Sequence, residues 1–228
     1  YNQNQGGWTR TASTYQPLNG NNNGYTYNRG TTVSGEMNIR GTAGNHVAYA
    51  VTPRTDLFAG NNSARLINGY VKTHIGAVEV QAGKDELWWG PMHQSSLNLS
   101  NNMNALTGVK VTTINPVKIG GTFRFLRSVK PTFVYAKLSD DRNDVKHPDF
   151  FGARIEVSPT KRLVLGASLT SIMGGEGRYL SLSDYGRFLT GKNESVRSKD
   201  KWNSIAGYDI KWTLPSMEVY GMVYGEDQ

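Results

Sequence analysis

Residues 151–170 read FGARIEVSPTKRLVLGASLT. Phe151, Ala153, Ile155 and Val157 alternate with Gly152, Arg154, Glu156 and Ser158. Past a turn at Ser158–Lys161, Leu163, Leu165, Ala167 and Leu169 alternate with Gly166, Ser168 and Thr170. Period two, with one small or apolar face and one polar face, is the signature of a β-strand. The same pattern spreads outward in both directions. Val33, Gly35, Met37 and Ile39 oppose Ser34, Glu36, Asn38 and Arg40, and Val78, Val80 and Ala82 oppose Glu79 and Gln81. Ala206, Tyr208, Ile210 and Trp212 oppose Gly207, Asp209 and Lys211, and Met217, Val219 and Val223 oppose Glu218 and Tyr220. No helical stripe of useful length is visible, so the fold class expected is all-β and antiparallel throughout.

The 228 residues suffice for one large β domain or two small ones. Apolar residues make up 37%, and no run approaches the 18 or so that a membrane-spanning helix needs. A transmembrane barrel escapes that test, because its strands are only half apolar. Tyr and Trp, 12 and 5 in number, suit a membrane–water interface. Cysteine is absent, which excludes disulfides and thiolate metal sites. The first residue, Tyr1, is no initiator Met, so a processed or trimmed N-terminus is expected. A formal charge of +7 fits an acidic partner or none, since Lys and Arg are spread along the chain.

Alternation fits a soluble sandwich as well as a barrel, and loop lengths separate them: outer-membrane barrels alternate short turns with long loops. Candidate tight turns are Gly41–Asn45, Ile75–Gly76, Arg127–Lys130, Ser158–Lys161 and Leu214–Pro215. Candidate long loops are 16–30, 53–63, 85–93, 140–149 and 173–202. The alternation holds if Gln94–Ser100 is a returning strand or runs back through the lumen, with Asn115–Pro116 a short link where a loop is expected. This scheme gives about thirteen strands in a single transmembrane barrel domain over 1–228. An open edge in lipid would leave backbone groups unsatisfied, so a longer protein with further strands is expected.

Two stretches stand out as binding candidates. The first runs from Lys84 through Trp88-Trp89-Gly90-Pro91 to Ser96, Asn98, Asn101 and Asn102. Paired indoles beside amides can stack on sugar rings; equally, they can anchor the membrane interface or pack the lumen. The second is Gly174-Gly175-Glu176-Gly177-Arg178, followed by Tyr179. Its glycines permit a tight or left-handed path, and Glu176 and Arg178 can bind a polar ligand or pair with other charges. His46, His74, His93 and His147 show no metal-ligand spacing, and no nucleophile elbow or carboxylate pair appears. No metal, cofactor or catalytic residue is therefore expected.

The residues resemble the Wzi capsule-assembly family of Gram-negative outer membranes. The matching motifs are Trp88-Trp89-Gly90-Pro91 with Ser96-Leu97, Leu165-Gly166-Ala167-Ser168 running into Gly174-Gly175-Glu176-Gly177-Arg178, and Tyr220-Gly221-Met222-Val223-Tyr224-Gly225-Glu226-Asp227, in order across about 140 residues. Met92 stands where the family usually has glycine. The resemblance implies an eighteen-stranded outer-membrane barrel with an N-terminal helical bundle on the periplasmic side, which this sequence lacks together with the last strands. It implies a lectin that holds capsular polysaccharide, with polysaccharide and outer-membrane lipids as partners and no nucleic acid. The candidate polysaccharide-binding residues read from the two stretches are Trp88, Trp89, Asn98, Asn101, Glu176, Arg178 and Tyr179, framed by Gly90, Pro91, Gly174, Gly175 and Gly177. The alternatives are a porin lined by Glu36, Arg40, Glu79, Arg124, Arg154, Glu156 and Lys211, or a barrel hydrolase with a Ser/His/Asp cluster inside.

Overall fold

The structure, a computed structural model, describes residues 2–9, 30–58, 61–93, 96–100, 102–138, 145–189 and 201–226. Two compact units divide the chain, Tyr1–Asn115 and Pro116–Gln228. In the first, β1 (Asn2–Thr9), β2 (Gly30–Met37), β4 (Val47–Phe58), β5 (Asn61–Ile75), β6 (Val78–Asp85) and β7 (Leu106–Thr113) pair in that order, and β3 (Ile39–Ala43) lies beside β4. In the second, β9 (Ser128–Lys137), β10 (Asp149–Val157), β11 (Leu163–Met173), β12 (Trp202–Thr213) and β13 (Glu218–Glu226) pair in order, with β8 (Val117–Lys118) on β9. The registered pairs are antiparallel.

Period-two sequence becomes period-two burial, with a sense opposite to that of a water-soluble sheet. In β4, Thr52, Arg54 and Asp56 are buried while Tyr49, Val51 and Leu57 are exposed. In the second unit Arg154 and Asp209 are each 5% exposed, whereas Ile155 is 47%, Leu165 38%, Val219 46% and Tyr208 72% exposed. Greasy side chains turned out and ionic ones covered are what hydrocarbon outside and a polar interior require.

Covered charges persist only when paired. In the first unit Arg54 Nε donates to Asp56 Oδ1 at 2.9 Å, and Ser34 Oγ donates to the same oxygen at 2.5 Å while accepting from Arg54 Nη2 at 3.0 Å. In the second, Arg154 grips Asp209 with both terminal nitrogens, at 2.5 and 2.9 Å, and also donates to Ser168 Oγ and Glu156 Oε1. The Asp209 carboxylate lies where a Cβ on Gly166 would sit, which leaves glycine as the residue that fits opposite it. In both networks the serine and the aspartate are bound to a guanidinium, which cannot act as a base.

Three expectations are corrected. The loop expected at 53–63 is strand, with only 59–60 between β4 and β5. Pro53 is tolerated because it sits at a bulge against β5 and at the gap in pairing between Val51 and Arg54, where β4 changes partner from β3 to β2. Gln94–Ser100 forms no returning strand; within it the described residues make one isolated bridge, Leu99 to Trp89, and 94–95 lie outside the described residues. Arg124 lies in a 3-10 helix, Gly121–Leu126, rather than on a strand face. The segment between β7 and β9 holds the two-residue β8 and this 3-10 helix in place of a full strand. Among the described residues thirteen strands result, with β3 and the two-residue β8 in place of those expected at 94–100 and around Arg124. The all-β antiparallel class holds, with one short α-helix, α1 (Leu182–Leu189), in the connection between β11 and β12.

Candidate functional site

Helix α1 is set by a capping box. Ser181 Oγ accepts from the Asp184 N–H at 3.3 Å, and the Asp184 carboxylate accepts from the Ser181 N–H at 2.7 Å. Lys201 Nζ joins the same carboxylate at 2.8 Å. Lys201, then the Ser181 N–H and hydroxyl, hold the Asp184 carboxyl well below its ordinary range. The helix presents Phe188 to Met173 and Trp202, with Phe151, Leu169, Leu180 and Tyr185 around them. Phe188 meets Phe151 and Trp202 edge to face. By strand parity Phe151, Leu169 and Met173 share the apolar face with Ile155, so α1 covers that face at the loop end of β10–β12.

Between this helix and the strand ends lies an open cleft of about 400 Å³, lined by Lys137, His147, Asp149, Gly174, Gly175, Glu176, Arg178, Tyr179, Leu180 and Tyr185. Its floor is the register pair Lys137 and Asp149, joined at 2.6 Å. One wall is the glycine segment. Gly174 and Gly175 have φ of 63° and 104°, and a Cβ on Gly175 would strike Val145 and the Lys146 carbonyl. That close approach lets the Glu176 N–H donate to Lys146 O at 2.9 Å and the Arg178 N–H to Gly175 O at 2.9 Å. The turn thereby throws Glu176, Arg178 and Tyr179 outward, and Tyr179 is 84% exposed. An exposed phenol ring beside a guanidinium and two carboxylates offers a stacking face together with donors and acceptors for hydroxyl groups.

Of the residues singled out from sequence, the structure thus gathers Gly174, Gly175, Glu176, Arg178 and Tyr179 into one cleft, with Gly177 (φ 80°) in the same turn. The Trp88–Asn102 stretch is elsewhere, in the first unit. Leu87, Trp89 and Leu99 are buried, Trp88 and Asn98 half-buried, and Asn101 lies outside the described residues. The Trp89 N–H donates to Leu99 O at 2.9 Å and the Ser96 hydroxyl donates to Trp89 O, closing the segment on itself through Gly90, whose φ is 149°. Burial pushes the Glu86 carboxyl above its ordinary value, helped by Asp85 and by Glu36. Glu36 belongs to the polar face of β2, so this segment begins over the polar face with its apolar residues tucked in. Trp89 therefore works as packing, and Trp88 retains partial access. Lys137, His147, Asp149 and Tyr185 were not singled out from sequence, because no local pattern ties them to the glycine segment.

Comparison with known proteins bears on the family and the fold. The profile of a family described as capsule assembly protein Wzi matches residues 1–228. An uncharacterized 55.8 kDa protein in the cps region of Klebsiella pneumoniae is 30% identical over 153 residues, which are 64% of this chain and 30% of that protein. Among solved structures, Wzi of Escherichia coli, described as an outer membrane protein involved in group 1 capsule assembly and a carbohydrate binding β-barrel, superposes with a TM-score of 0.70 at 20% identity. The match covers 100% of this chain and 48% of that one. The chain thus spans under half the length of either relative.

Proposed function

Because the chain belongs to the capsule assembly protein Wzi family, we propose that it is part of an outer-membrane β-barrel that binds and anchors capsular or other surface polysaccharide. The observation that carries this reading is the loop-end cleft, where Tyr179 stands exposed beside Arg178, Glu176 and the Lys137–Asp149 pair. Lipid surrounds the apolar face, and the cleft lies at the end of the wall where α1 replaces lipid as its cover. The Tyr179 ring takes the C–H face of a sugar, Arg178 its oxygens, and Glu176 and Asp149 its hydroxyls. The role is retention without covalent chemistry.

The test is co-sedimentation of the full-length protein with purified capsular polysaccharide, and with an unrelated neutral glycan as control. Tyr179→Ala is expected to weaken binding by about 1 kcal/mol, roughly fivefold in Kd. Binding unchanged by both Tyr179→Ala and Arg178→Ala would remove the cleft from the account. The inward ion pairs favour a second reading, a selective porin. Single-channel conductance in planar bilayers separates the two, because a polar face crowded by 86–105 conducts poorly.

A further inference from the structure

His46 and His74 are 28 positions apart in the sequence, and the fold brings them together. His46 ends the turn before β4, and His74 is the penultimate residue of β5. Val47 lies opposite Thr73, so the two imidazoles occupy the next rung of the ladder. Their nitrogens, His46 Nδ1 and His74 Nε2, are 3.2 Å apart, with ring centroids at 5.0 Å and planes tilted by 48°. The bland explanation is a hydrogen bond in which one neutral ring donates to the other. Yet the same spacing suits two nitrogens on one ion, since ligands about 2.0–2.1 Å from a tetrahedral centre lie roughly 3.3 Å apart.

We propose that His46 and His74 form a binding site for a divalent transition-metal ion of the Cu²⁺ or Zn²⁺ class, the ion taking the place of the shared proton. Both nitrogens are imidazole donors, which these ions prefer over the Ca²⁺ and Mg²⁺ of the cell surface, and Cu²⁺ heads the affinity order. Among the described residues no group of three or more His or acidic side chains gathers to complete a closed cage. Glu79, opposite His74 in β6, already accepts Lys72 Nζ at 3.2 Å. The site is therefore a two-nitrogen one whose remaining positions are open to water or to an incoming donor. His74 Nδ1 is buried without a hydrogen-bond partner, so the ring lacks the outer contact that stiffens structural zinc ligands. Binding is accordingly exchangeable and weaker than at a structural zinc site.

The experiment is calorimetric titration of the detergent-solubilised full-length protein with Cu²⁺ and then Zn²⁺, for wild type, His46→Asn, His74→Asn and a His93→Asn/His147→Asn control. One saturable site is expected in wild type and in the control, lost in each of the first two variants. Copper electron paramagnetic resonance on the wild type supplies a readout independent of variant folding, and coupling to two imidazole nitrogens is expected. Equal binding by all four proteins, or a copper spectrum without paired nitrogens, would overturn the proposal.

Discussion

Replacing Arg154 with Met strips Asp209 of its cation while leaving the carboxylate where it is. In the folded chain the two side chains are 5% and 2% exposed, and both Asp209 oxygens are engaged by Arg154. Gly166 leaves Asp209 no bulk to swing past, but the strand on either side holds its backbone. Leaving one buried charge alone costs about 3–5 kcal/mol. Asp209→Asn is milder, about 1–3 kcal/mol, because Arg154 still reaches Glu156 at 3.1 Å. The double variant no longer contains the orphaned anion, so it costs less than the sum of the singles, with a coupling of about 2 kcal/mol. Urea unfolding in lipid vesicles, followed by tryptophan fluorescence, measures all four proteins. An Arg154→Met cost below about 1 kcal/mol with no coupling would refute the reasoning, since it would mean that water already solvates Asp209.

Ser181→Ala removes one arm of the capping box and should loosen α1 by about 1 kcal/mol, seen as faster amide exchange over 182–189. Because the Asp184 carboxyl is held below its ordinary value near 3.8, its support is complete above that value and is lost as pH falls beneath it; α1 should undock in that acid window, and Asp184→Asn should undock it at neutral pH. Glu86 is shifted the other way, so its ionisation opposes folding as pH rises past the ordinary carboxylate value; Glu86→Gln should raise the denaturation midpoint at pH 7 and leave it unchanged at pH 4. If the polysaccharide is acidic, its binding should weaken with salt, because exposed charges are screened within about 10 Å at 0.1 M.

The strands were legible because a half-buried strand writes its two faces into the sequence at every second residue, as at Ile155/Arg154 and Tyr208/Asp209. The sense of those faces was not, since alternation alone does not say which side is covered; the burial of Arg154 beside the exposure of Ile155 supplies it. Pro53-Arg54-Thr55-Asp56 reads as loop because polar side chains next to proline usually are, yet Arg54 and Asp56 face each other's charges on one strand face. Helix α1 was not legible, because its eight residues, Leu182–Leu189, are too few for a periodic stripe. The glycine segment announced half of the cleft. Lys137, Asp149 and Tyr185, like the His46–His74 pair, meet through register and loop docking, which no local spacing encodes.

On this reading hydrocarbon meets the apolar face. Nitroxide labels at Val71→Cys, Ile155→Cys and Val223→Cys, each in a cysteine-free full-length protein reconstituted in bilayers, test it most directly, with Tyr179→Cys as the aqueous reference. Val71, Ile155 and Val223 are 51%, 47% and 72% exposed. The account predicts strong relaxation by dissolved oxygen and almost none by a water-soluble nickel chelate at the three strand positions, with the reverse at the loop. Free access of the chelate to all four would place water against that face and contradict it.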